Sequence, residues 1–193
     1  MNEFWIYFKL GLTHVLDYNA YDHVLFLTVL VATYTFYEWK NVVGLVTVFT
    51  IGHTISLILA SYDIVNVSSN IIEFLIPITI FITALYNLLT AGKNNNSRIS
   101  ILYATTLFFG IIHGLGFSSF FLSTTGSKGV EILRLLEFAL GIEAAQLIVV
   151  LVVLILSFIF QSIFKFSKRD WTLVISSIVI GLVIPMLIAN WIL

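Results

Sequence analysis

The reactive groups of this 193-residue sequence are few: four histidines, an Asp22-His23 pair, and three glutamates, Glu73, Glu137 and Glu143, inside apolar runs. Each histidine also sits in or beside such a run: His14 and His23 flank the start of the first long one, His53 lies in the second and His113 in the fourth. A charge at the bilayer centre costs about 2.5–3.5 kcal/mol on insertion scales, so carboxylates placed there require partners, water or a bound ion. Neutral imidazole nitrogen combined with carboxylate oxygen suits zinc, nickel, cobalt, iron or copper(II), whereas calcium and magnesium prefer shells of oxygen alone. With no cysteine in the chain, thiolate ligands, thiolate nucleophiles and disulfides are excluded. A bound divalent transition metal is therefore expected; its identity stays open because most nitrogen and oxygen sites share one affinity order.

Spacing adds partners, since residues three or four apart share a helix face. His53 is matched with Ser56, and Glu143 with Gln146. Gly110 lies on the face of His113, with Gly114 and Gly116 following, and small residues there predict a tight helix contact or a local break. Asp22 offers a carboxylate either to the ion or to the ring of His23, which it would orient. The candidate metal ligands are thus His14, Asp22, His23, His53, His113 and Glu143, supported by Ser56, Gln146 and Glu73. Blander roles compete: Glu73 and Glu137 sit near helix starts, where the dipole alone favours an acid, and Glu143 with Gln146 suits an interhelical hydrogen bond.

These side chains must be held by helices in a bilayer. Hydrophobic residues make up 60 % of the chain and charged ones 10 %, against roughly 25 % charged in soluble proteins, and the mean hydropathy is +1.07. The formal net charge of −1 provides no basic field for nucleic acid. Apolar runs near 21–37, 41–61, 71–91, 99–123, 134–162 and 172–192 are each fit for a hydrocarbon core of roughly 30 Å. An all-α, polytopic transmembrane bundle of six spanning helices follows, as one domain over 1–193. The short apolar segment from Phe4 to Val15 is left as interfacial, re-entrant or a seventh helix. Residues 1–20 lack the features of a secretory signal and are expected to be retained. Trp5, Trp39, Trp171 and Trp191 fall near span ends, as an aromatic belt would; Asn94-Asn95-Asn96 is a low-complexity patch between spans. Oligomeric state is not legible.

Alternation of six spans puts Lys40, Lys93, Arg98, Lys165, Lys168 and Arg169 on one side and Lys9, Lys128 and Arg134 on the other. The richer side, with the loops near 40, 95 and 167, is expected to be cytoplasmic, in an inner or plasma membrane. Counted from the outer span ends, His23, His53, Glu73, His113, Glu137 and Glu143 lie roughly 3–15 Å deep at about 1.5 Å per residue. The inner half offers only Tyr86, Asn87, Gln161 and Ser162 as further oxygen or nitrogen donors.

Five stretches occur in order: Gly11-Leu12-Thr13-His14, Asp22-His23-Val24-Leu25-Phe26-Leu27, Phe49-Thr50-Ile51-Gly52-His53-Thr54-Ile55-Ser56-Leu57, Phe109-Gly110-Ile111-Ile112-His113-Gly114-Leu115-Gly116-Phe117 and Leu140-Gly141-Ile142-Glu143-Ala144-Ala145-Gln146. As a set they resemble the motifs of the HupE/UreJ family of membrane proteins. Its members are associated with hydrogenase and urease gene clusters and are regarded as nickel or other metal permeases, so the resemblance implies uptake of a divalent metal. The His…Asp-His element of the first two stretches and the Gly-His-Thr element of the third are also similar to signatures of nickel/cobalt permeases, which implies metal handling by His14, Asp22, His23 and His53. Two other uses of the same cluster stay open. One is an intramembrane zinc hydrolase with Glu143 or Asp22 as base; the other is a structural or sensory metal.

Overall fold

In hydrocarbon every backbone N–H and C=O must be satisfied within its own segment, so long apolar runs fold as helices. The computed structural model describes residues 3–18, 20–93, 99–125 and 131–191. Among these residues the helices are α1 (Glu3–Val15), α2 (Asp22–Val31), α3 (Trp39–Ser61), α4 (Ser69–Thr90), α5 (Ile99–Thr125), α6 (Ile132–Ser162) and α7 (Lys168–Ala189), with no strand. Five of them, α3 to α7, are long and apolar enough to cross a membrane. The chain is an all-helical membrane protein. Asn94-Asn95-Asn96, Arg98 and Lys128 lie outside the described residues.

The first expected span, 21–37, is corrected: α2 has ten residues, about 15 Å of helix. The run is interrupted by a new helix start that its hydropathy hides. Thr35 is extended, at φ −120° and ψ 170°, and both its backbone N–H and its hydroxyl donate to Glu38 Oε2 at 3.0 Å. This capping box fixes a 3-10 turn, Phe36–Glu38, that leads into α3. The segment before it, whose state composition left open, is the helix α1. It packs on α6 through two glycines: Gly11 lies on the backbone of Phe138 and Ile142, and Gly141 on that of Phe8 and Leu12, with no room for a Cβ on either. Arg134 sits 3.7 Å from Glu3 and 5.6 Å from the Tyr7 ring, so α1 and α6 run in the same direction.

α3 and α5 are likewise parallel and in backbone contact. Gly52 meets Leu107 and Ile111, Gly110 meets Phe49, and Gly114 meets His53 and Ser56; nearer their N-termini, Tyr103 donates to Asn41 O at 3.3 Å. The core between helices holds the fully buried rings of Phe26, Phe49, Phe121 and Phe138. Leu147, Leu151, Ile155 and Phe158 on α6 and Ile178 and Leu182 on α7 point outward, as lipid-facing residues do. At one end, Lys168 Nζ lies 3.3 Å from Glu38 Oε2, tying the start of α7 to the start of α3; we term this the basic end. Trp5, Trp39 and Trp191 are exposed, as a belt requires, but Trp171 is buried, because its ring packs 5.5 Å from Phe160 at the end of α6.

Candidate metal centre

Each histidine is delivered by a different element. His14 sits in the last turn of α1, one turn past Gly11, so the α1–α6 contact fixes its height. His23 opens α2. His53 and His113 belong to α3 and α5, and the glycines on either side of His113 press that helix onto the backbone around His53. Close approach at Gly110 and Gly114 is therefore what brings two imidazoles from separate spans together, as the spacing predicted. Ring centroids are 4.6 Å apart for His14 and His23, 5.6 Å for His14 and His53, 5.7 Å for His23 and His53, and 5.1 Å for His23 and His113.

Two trios of ligand atoms result, His14 with His23 and His53, and Asp22 with His23 and His113; within each, the atoms lie within 4.8 Å of one another. His23 belongs to both. Ligands about 2.0–2.1 Å from a shared ion need only a small closure from this arrangement. His23, His53 and His113 are 2 %, 0 % and 1 % exposed, in surroundings walled by Phe26, Phe49, Phe117 and Phe138.

Hydrogen bonding sets up the free nitrogens. Asp22 Oδ1 lies 3.3 Å from His23 Nδ1, so the carboxylate accepts from that N–H and His23 Nε2, unpartnered among the described residues, carries the lone pair. Thr79 donates its single hydrogen to Ile76 O at 2.7 Å. At His113 Nε2, 3.2 Å away, the same hydroxyl must accept, which leaves His113 Nδ1 as the lone-pair nitrogen. Among the described residues that atom is buried without a partner, as are His14 Nε2 and both nitrogens of His53. A buried polar atom left unpaired costs about 1–3 kcal/mol; each neutral imidazole has one lone pair, and an ion accepting it removes that nitrogen's cost, so the donor set fits a transition metal.

The remaining predicted residues fall elsewhere. Glu143 Oε1 accepts from Thr47 at 2.7 Å, Glu143 Oε2 pairs with Thr50, and Gln146 Oε1 lies 3.0 Å from Thr50. Glu143 and Gln146 thus clasp α6 to α3 and are in neither trio. Ser56 donates to His53 O within its own helix, at 2.8 Å, so it shapes the glycine contact and not the imidazole ring. Glu73 is exposed and lines, with Asp17, a cavity of about 630 Å³ that reaches His14, Asp22, His23 and His113. Sequence reasoning missed Thr79, Thr47 and Thr50, since a helix partner 34 or 93 residues away leaves no local spacing. Weakening the clasp alone, as in Thr50→Val, is expected to lower stability by about 0.6–1.7 kcal/mol and leave metal affinity intact. Thermal unfolding and metal titration check this; an affinity that falls with stability would return Glu143 to the ligands.

Comparison with curated proteins and with solved structures gave no match. The family model described as HupE / UreJ protein matches residues 1–192. With five long apolar helices, a histidine and aspartate cluster sunk among them and that match along nearly its whole length, the chain belongs to the HupE/UreJ family.

Proposed function

We propose that the protein is a permease for a divalent transition-metal ion such as nickel, cobalt or zinc, held during passage by His14, Asp22, His23, His53 and His113. The observation that carries this is the sharing of His23 between two trios of ligand atoms. An ion can exchange Asp22 and His113 for His14 and His53 while one imidazole never lets go, which avoids a fully undressed ion in a wall of phenylalanine. Asp22 offsets part of the charge and orients His23; Thr79 orients His113. Glu73 and Asp17 at the cavity mouth attract cations toward the cluster.

Sidedness follows from the positive-inside rule: the basic end faces the cytoplasm of an inner or plasma membrane, and the cavity faces outward. α1 and α2, 13 and 10 residues long, make one crossing in two halves, about 20 and 15 Å. The break between them puts a helix end on each side of His14 and His23, as discontinuous helices do at carrier sites. A hydrolase needs a free base beside the ion; Glu143 is engaged by Thr47 and Thr50 and Asp22 by His23, which favours transport.

Purified protein in liposomes is expected to accumulate nickel, cobalt or zinc, and His53→Ala to abolish it. Saturable binding with no flux would overturn the permease and leave a structural or sensory metal. Ligation requires deprotonated imidazoles, so binding is expected to weaken on acidification. A competition titration at several pH values measures it.

A further inference from the structure

A permease needs a way out, and the fold holds a second cavity, of about 660 Å³, between α2, α4, α5 and α7 at the basic end. Its wall includes Thr83 and Asn87 of α4, both buried. Thr83 donates to Thr79 O at 2.8 Å, and Thr79 is the partner of His113. Thr79, Thr83 and Asn87, four residues apart, form one polar stripe on α4, in a helix otherwise rich in Ile, Leu and Phe. On α4 the first cavity reaches Ile76 and the second begins at Ile82, so the two are separated by about six residues of helix, roughly 9 Å. Phe26, fully buried, fills the interval with its ring 5.2 Å from His113 and 5.9 Å from Phe109, which lines the second cavity.

α2 flanks the same route. Its first turn carries Asp22 and His23 and its last turn reaches the second cavity at Leu30. Asn87 donates to Val29 O at 2.7 Å and the Thr172 hydroxyl lies 3.3 Å from Ala32 O, so carbonyls of a helix C-terminus, the negative end of its dipole, gather where a cation would leave. We infer that the Thr79, Thr83 and Asn87 stripe, facing the C-terminal end of α2, is the conduit by which the ion passes from His113 to the cavity at the basic end. The inference rests on the permease reading and assigns that reading its exit.

The test compares zinc and nickel flux into liposomes with equilibrium binding of the same metals. Thr83→Val keeps the shape of the side chain, and Asn87→Leu removes the contact to α2. Both are expected to slow flux about tenfold, the effect of one lost polar interaction in a barrier, while binding at the histidines is unchanged; Thr83→Ser is expected to restore flux. Flux undiminished in both variants would overturn the conduit and leave the permease standing. No flux by the parent protein would overturn the permease and the conduit with it. Because the chain lacks cysteine, Thr83→Cys gives an independent readout: a water-soluble maleimide is expected to label it, with bound zinc or nickel slowing the reaction. Failure to label would overturn the conduit whatever the flux.

Discussion

Replacing His23 with alanine is expected to weaken metal binding by more than about a hundredfold, beyond the 10–100-fold that losing an outer partner of a ligand costs. His23 is the one residue common to both trios, so its removal leaves two donors in each, whereas loss of His14, His53 or His113 spares one trio intact. The same variant should lose metal-dependent stabilisation: a site filled at a hundred times its Kd adds about 2.7 kcal/mol to the folded state. Calorimetric titration and thermal unfolding with added nickel or zinc check both. Affinity for His23→Ala equal to that of His14→Ala would show that the two trios are not linked through this ring. Asp22→Asn, which keeps the shape but loses the charge, is expected to fall within the 10–100-fold range.

The second large effect is structural. At Gly114 a Cβ would strike the backbone of His53 and the hydroxyl of Ser56, and neither the backbone nor a hydroxyl already donating to it can yield cheaply. Gly114→Ala is therefore expected to cost about 1–3 kcal/mol by overpacking and to move His113 away from His23, lowering metal affinity as well. Gly181 on α7 is the control. Nothing lies within 4 Å of a Cβ there, so Gly181→Ala should gain up to about 1 kcal/mol of helix propensity without changing affinity. Equal melting temperatures for the two variants would show that the α3–α5 contact does not hold the cluster.

Much of this was written in the chain order. Composition and run length demanded helices in a bilayer because unpaired backbone cannot exist in hydrocarbon, and the rarity of ionisable groups in such runs singled out His14, His23, His53 and His113. Gly110 and Gly114 announced a close helix contact around His113 for the same local reason: their distance from it along the helix is fixed at one turn or less.

The tertiary structure alone decided which partners those groups meet. Glu143 looked as suitable a ligand as Asp22 by type, yet a helix can turn a carboxylate toward any neighbour, and α6 turns Glu143 to Thr47 and Thr50. Hydropathy could not see that Thr35 and Glu38 cap a new helix, since a capping box is a matter of hydrogen-bond geometry within an apolar background. Residue type and 3.6-residue periodicity are properties of one helix and survive in the sequence. Rotation about the axis, relative height and the identity of the opposing face belong to pairs of helices, and they exist only once the helices pack.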